Sequence, residues 1–277
     1  MKTLPDLPHI KFQNLKNMLL DLKKAMVAFS GGVDSTFLLA CAHEALGDNA
    51  LAITGTSLSF PNRELKAAQA YTSSQGIEHI LVDSEELNLE GFQNNPPNRC
   101  YLCKRELFSK IIQVAKQKGV THVLEASNVD DEGDYRPGLV AIKELGVLSP
   151  LRDTKLCKAE IRSLSAEMGL PTWNKPSFAC LASRFPYGET ITPTGLARLD
   201  LAEEFLLSLG FYQVRVRLHE EGSLARVETD PESFSLLMDP HLREVIGSKF
   251  KELGFRFTAF DILGYRTGSM NATLPKN

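Results

Sequence analysis

Hydrophobic residues alternate along this chain between short uninterrupted runs and stretches spaced three and four apart. Residues 25–28, 50–54, 77–82 and 122–125 are runs of strand length, and their near-continuous apolar character predicts burial on both faces. Between them the spacing becomes helical. Phe12, Leu15, Met18, Leu19 and Leu22 form a stripe within 10–24, and further helices are expected over 33–46, 61–75 and 101–118. Pro61 suits a first helical turn and Gly76 a stop. Each strand is followed by a helix or loop long enough for a right-handed crossover, which predicts an α/β fold with a doubly wound parallel sheet. Helices over 138–145 and 158–168 complete it. From about residue 176 the pattern becomes aperiodic. A helix (194–209), two strands (212–218 and 224–228), helical segments (231–254) and a last strand (256–262) then predict a smaller α+β unit. The expected domains are residues 1–188 and residues 189–277.

Composition narrows the class. The chain has 277 residues, 43% of them hydrophobic and 23% charged, as in ordinary globular proteins. A net charge of −3 disfavours a general nucleic-acid surface. No apolar run approaches the ~20 residues of a membrane span, and residues 1–10 lack the basic-then-apolar pattern of a secretory signal. Five cysteines, an odd number with two only three apart, argue against a disulfide framework. They point to metal or redox chemistry in a reducing cytoplasm.

The chemistry concentrates at a few places. Ala28-Phe29-Ser30-Gly31-Gly32-Val33-Asp34-Ser35 passes from a strand through glycines into a helix. Glycines let the backbone approach a ligand, the helix N-terminus offers N–H groups to an anion, and Asp34 suits a metal ion. The stretch resembles the PP-loop (SGGxDS) of N-type ATP pyrophosphatases, and no Gly-Lys-Ser/Thr follows as in a Walker loop. Thr54 and Ser127 fall at C-terminal ends of other expected strands, where ligands bind in such sheets. The acidic stretch 127–138, with Asp130, Asp131, Glu132 and Asp134, fits either a solvated loop or a wall of the nucleotide site. Cys100 and Cys103 form a C-x-x-C at a helix start, which serves a metal or cluster, a redox pair, or two buried structural thiols. Cys180 lies in a polar loop with Ser183 and Arg184, and a guanidinium near a thiol favours thiolate. Cys41 belongs to an apolar helix and Cys157 to a helix start, both read as structural. Arg215 and Arg217 share a strand face, so either a phosphate or carboxylate ligand, or nearby Glu203, Glu220 and Glu228, must balance them. Glu203 and Glu228 suit either metal binding or orientation of the arginines.

Ser30–Ser35, Ser57-x-x-x-Pro61-x-Arg63-Glu64, Pro176-Ser177-Phe178-Ala179-Cys180-Leu181-Ala182-Ser183-Arg184 and Val214-Arg215-Val216-Arg217 together resemble the LarE family of ATP-dependent sulfur transferases. The resemblance covers nearly the whole chain and implies ATP, Mg²⁺ and the PP-loop fold. It implies adenylation of a carboxylate of pyridinium-3,5-biscarboxylic acid mononucleotide and its conversion to a thiocarboxylate for nickel-pincer nucleotide synthesis. It places Ala28, Phe29, Ser30, Gly31, Gly32, Asp34, Ser35, Thr54, Arg63 and Ser127 on ATP, and Ser183, Arg184, Glu203, Arg215, Arg217 and Glu228 on the substrate. Cys180, Asp34 and Arg184 become catalytic. In one branch of the family the cysteine matching Cys180 surrenders its own sulfur; in the other, three cysteines bind an Fe4S4 cluster. Cys100, Cys103 and Cys180 resemble the second branch. The implied partners are sulfide or a sulfur-donating protein, the enzymes before and after it in that synthesis, and further copies of the chain in a homo-oligomer, with no membrane. A PP-loop tRNA thiolase shares the loop and three cysteines, but would need a broader basic surface.

Overall fold

The computed structural model describes residues 7–131, 137–266 and 268–270. Their contacts group into two compact units, each built from discontinuous segments. The first comprises residues up to Ser57, Glu64–Glu86 and Cys100–Ser177. The second comprises Leu58–Arg63, Leu87–Arg99 and the chain from Phe178 onward.

In the first unit, α1 (Leu7–Leu22) leads into β1 (Ala25–Ala28), α2 (Val33–Leu46), β2 (Ala50–Thr56), α3 (Asn62–Gln75) and β3 (His79–Asp83). Then follow α4 (Arg99–Gln117), β4 (His122–Leu124), α5 (Pro137–Glu144), α6 (Pro150–Asp153) and α7 (Lys158–Glu167). The strands form a parallel sheet in the order β3-β2-β1-β4. Alternate residues of one strand serve opposite faces: Ala25 and Val27 pack with Leu15, Phe37 and Leu164, whereas Met26 packs with Phe108, Ile111 and Ile142. That two-sided burial explains why β1 reads as an unbroken apolar run. The chain reverses its direction of travel across the sheet between β1 and β4, the position where open α/β sheets bind ligands.

The second unit contains α8 (Pro193–Ser208), β5 (Val214–His219), β6 (Leu224–Thr229), α9 (Pro240–Glu252) and β7 (Phe257–Phe260). β5 and β6 pair antiparallel, and β7 joins β6 in parallel after the crossover through α9. The helical segments expected over 231–254 are a 3-10 stretch, Pro231–Met238, and α9, divided where Asp239 leaves helical geometry and caps α9 by accepting from His241 N at 2.8 Å. The loop at 176–184 contains a 3-10 turn, Leu181–Arg184, just after Cys180. Of the acidic stretch, Glu132 and Asp134 lie outside the described residues.

Candidate functional site

Local geometry at the end of β1 follows from its glycines. Gly31 has φ +69°, and a Cβ there would meet the Ala68 Cβ at 3.3 Å, so both backbone and space require glycine. Gly32 starts α2 without a side-chain cap, which leaves the first-turn amides of α2 to another partner. The hydroxyls of Ser30 and Ser35 lie 3.0 Å apart and tie the loop to α2. Asp34 sits in the first turn of α2. Asn128 Nδ2 donates to its Oδ1 at 3.4 Å and Lys158 Nζ to its Oδ2 at 2.5 Å. Lys175 Nζ donates to Gly31 O at 3.0 Å and pairs with Glu64 at 2.5 Å.

Beside the loop, Thr54 Oγ1 donates to Phe29 O at 2.5 Å, which leaves its lone pairs to accept from His79 Nε2 at 2.8 Å. On its other side His79 Nδ1 lies 3.0 Å from Thr72 Oγ1, and burial holds its pKa below the usual value. Ser127 donates to the buried Glu125 through both its amide (3.0 Å) and its hydroxyl (2.6 Å). Its hydroxyl proton is thus committed to a carboxylate within the protein.

A second set of residues assembles inside the other unit. Arg184 is fully buried; its Nε and Nη2 donate to Glu203 at 2.7 and 3.0 Å. Its Nη1 donates to Ala179 O, Cys180 O and Ser183 Oγ at 2.9, 3.3 and 2.9 Å. Arg184 thereby fixes the loop that carries Cys180. Glu203 also accepts from Val216 N at 3.1 Å and from Arg63 at 3.1 Å. Burial works against its charge, but Arg184, Arg215 and Arg63 prevail and hold its pKa at about 2. Arg63 also pairs with Asp200 at 3.3 Å.

Arg217 pairs with Glu228 at 2.7 Å and donates to Ser183 O at 3.2 Å. Glu228 is shared with Arg226 at 3.0 Å and Ser269 at 2.9 Å. Arg215 lies over the Tyr265 ring at 5.0 Å and donates to Val214 O. Burial first, and the Arg184 charge second, push its pKa down to about 10. Arg99, Arg184, Arg215, Arg217 and Arg266 all line one cavity of about 170 Å³, with Ala179 and Ser183 from the Cys180 loop in its wall. Among the described residues lining it none is acidic. A cavity with that lining suits a planar or phosphorylated anion.

The structure brings Ser30, Gly31, Gly32, Asp34, Ser35, Phe29 and Thr54 together at one sheet end. It brings Ser183, Arg184, Glu203, Arg215, Arg217 and Glu228 together in the second unit, where both glutamates contact arginines. Cys100 and Cys103 lie in the first two turns of α4, three residues apart and part-buried, and belong to the first unit; Cys180, also part-buried, belongs to the second. Among the described residues no group of three or more His, Cys, Asp or Glu side chains is placed to hold a metal ion. Cys157 caps α7, with Glu160 returning a bond from Cys157 N at 2.8 Å, while Cys41 is buried in the core with its pKa pushed up by burial. Sequence reasoning missed Lys158, Lys175, Arg99 and Tyr265. Lys158 and Arg99 left a trace, since each is a cation in the first turn of a helix, where it opposes the helix dipole.

No family model matches the chain. It is 43% identical over 267 residues to an uncharacterised protein of Synechocystis sp., covering 96% of this chain and 98% of the relative. It is 37% identical over 263 residues to the pyridinium-3,5-bisthiocarboxylic acid mononucleotide synthase of Lactiplantibacillus plantarum, covering 93% and 92%. A partial similarity, 27% over 199 residues, joins 63% of the chain to 36% of a glutamine-hydrolysing GMP synthase of Chlamydia caviae.

Proposed function

Because the chain belongs to the family of pyridinium-3,5-bisthiocarboxylic acid mononucleotide synthases, we propose that it is an ATP-dependent sulfur transferase making a thiocarboxylate for nickel-pincer nucleotide synthesis. Its substrate in this reading is pyridinium-3,5-biscarboxylic acid mononucleotide. The observation that carries the reading is the cavity lined by five arginines with the Cys180 loop in its wall, which suits a ligand bearing carboxylates and a phosphate.

The partial likeness to a GMP synthase supports a PP-loop that binds ATP and Mg²⁺. A substrate carboxylate oxygen attacks the α-phosphorus, the α–β bridging bond breaks, and pyrophosphate leaves with its electron pair. The first-turn amides of α2 and the backbone of Gly31 and Gly32 receive the leaving pyrophosphate. Asp34 would hold Mg²⁺, which offsets phosphate charge when bound. A sulfur nucleophile then adds to the acyl carbon and AMP departs, carrying the former carboxylate oxygen. Arg215 and Arg217 hold the substrate's anionic groups; Arg184 and Glu203 hold the loop that presents Cys180.

The proposal includes two sources of sulfur. In the first, Cys100, Cys103 and Cys180 would ligate an Fe4S4 cluster, which when bound would carry a replaceable sulfide, although among the described residues no three such side chains are grouped to hold a metal. Alternatively Cys180 attacks through its own sulfur and is left as dehydroalanine after loss of its Cα proton and cleavage of the Cβ–S bond. The proposal includes a homo-oligomer in the cytoplasm, sulfide or a sulfur-donating protein as donor, and enzymes supplying the substrate and consuming the product. Residues 1–188 activate the carboxylate, and residues 189–277 serve substrate binding and oligomerisation.

Incubating the full chain with MgATP, the pyridinium mononucleotide and sulfide under anaerobic conditions, with mass spectrometry of the nucleotide, tests the reading. Exchange of carboxylate oxygen for sulfur is expected; release of pyrophosphate with tRNA as acceptor instead would overturn it. Asp34→Ala is expected to lower pyrophosphate release by about 100-fold or more, the scale of losing a central electrostatic group. Cys180→Ala is expected to retain pyrophosphate release and lose thiocarboxylate formation. Iron and acid-labile sulfide in the anaerobic protein, lost in Cys100→Ala, mark the cluster; a dehydroalanine mass at residue 180 marks the sacrificial route.

A further inference from the structure

The Asp34 carboxylate has both oxygens engaged within the first unit, Oδ1 by Asn128 and Oδ2 by Lys158. The Lys158 ammonium at 2.5 Å from Oδ2 occupies the position a cation would take, since Mg²⁺ sits about 2.1 Å from its ligand oxygens. Two cations at one oxygen repel each other, so the ammonium and the metal compete for Oδ2. Lys158 is the first residue of α7, where its charge opposes the helix dipole, so the helix gains nothing from it there. The first turn of α7 is nonetheless held in place: Lys158 N donates to Asp130 Oδ2 at 2.8 Å, and Glu160 caps the helix through Cys157 N. A fixed backbone thus carries an ammonium on a long stem, about one-third exposed, directly at the PP-loop.

We propose that Lys158 is a metal-released phosphate ligand. When Mg²⁺ takes Asp34 Oδ2, the ammonium leaves that oxygen and moves onto the triphosphate brought by the same metal. The exchange keeps Asp34 neutralised throughout and delivers a positive charge to the phosphates only when the metal is in place. Lysine suits this task because its charge is a compact point on a flexible stem, whereas a planar guanidinium would favour a fixed two-pronged pairing. Lys175, the other lysine at the loop, is anchored on Gly31 O and Glu64 and keeps the loop backbone in position.

The inference rests on the ATP-binding reading of the PP-loop, and one binding experiment separates the two. Affinity for α,β-methylene-ATP is measured calorimetrically on the full chain, with excess Mg²⁺ and with EDTA, for the parent protein, Lys158→Gln and Lys158→Arg. Lys158→Gln is expected to weaken binding about tenfold or more with Mg²⁺, the scale of one charge-assisted hydrogen bond, and by less than about twofold with EDTA. Lys158→Arg is expected to recover part of the Mg²⁺-dependent affinity. Equal losses with and without metal, or no loss in either, would overturn the exchange while leaving ATP binding intact. Failure of the parent protein to bind the analogue under both conditions would overturn the ATP reading itself.

Discussion

At the scale of single residues, the second unit turns on two buried carboxylates. Glu203 is fully buried and answers Arg184, Arg63 and the Val216 amide at once. Removing one partner of such a group leaves buried charge uncompensated, so Glu203→Gln is expected to destabilise the fold by about 3–5 kcal/mol. The pH dependence has a definite sign. The folded pKa of Glu203 is held at about 2, below the roughly 4.3 of an unfolded glutamate. Its contribution is therefore complete above about pH 4.3 and disappears as pH falls toward 2. Urea titrations at pH 7 and pH 3 check this: the parent loses stability on acidification, and Glu203→Gln loses markedly less. Gly31 makes a different demand. Alanine there combines a strained φ of +69° with a 3.3 Å approach to Ala68, so the nucleotide loop must shift to accept it.

At the scale of elements, the segment Leu87–Arg99 shows where sequence patterns lose their hold. Within it the polar, proline-bearing stretch 88–99 reads as a loop, and between the short 3-10 turns it is one. Yet Asn95 is fully buried at φ +48°, and its Nδ2 donates to Phe185 O and Pro186 O at 3.0 and 2.6 Å. Arg99 extends the attachment by donating to Asn95 and to Ala182 O at 3.0 Å, within the turn that follows Cys180. Asn95→Ala removes these bonds and leaves acceptors buried, an expected cost of about 2–4 kcal/mol. Differential scanning fluorimetry would register this as a fall in Tm of roughly 5–15 °C. Such attachments depend on contacts some 90 residues apart in the chain, and no local period encodes them. β1 and α2 were legible for the opposite reason: apolar continuity and the Ser-Gly-Gly turn are local signals. The arginine pair was legible as an unbalanced strand face, whereas the roles of Glu203 and Glu228 emerged only from tertiary pairing.

At the scale of the whole molecule, the proposed function divides its two chemistries between the two compact units. The first holds a loop suited to triphosphate; the second holds an arginine-lined cavity and the Cys180 loop. Loss of an arginine in the cavity should weaken the substrate without touching ATP. Arg215 is the sharpest probe. It rests on Tyr265 with its pKa pushed down to about 10, so burial and neighbouring positive charge already burden it and an anion would relieve it. Arg215→Ala is expected to raise KM for the pyridinium mononucleotide about 10- to 100-fold, the range of a charge-assisted bond. KM for ATP should change less than about threefold. Arg217→Ala also strips the direct 2.7 Å partner from buried Glu228, and Arg215→Ala removes one of the charges that keep Glu203 ionised, so thermal melts of both variants accompany the kinetics. Steady-state kinetics with each substrate varied in turn decide the matter. A parallel rise in both KM values would mean that the cavity serves the nucleotide as well, and that the two chemistries are not divided between the units.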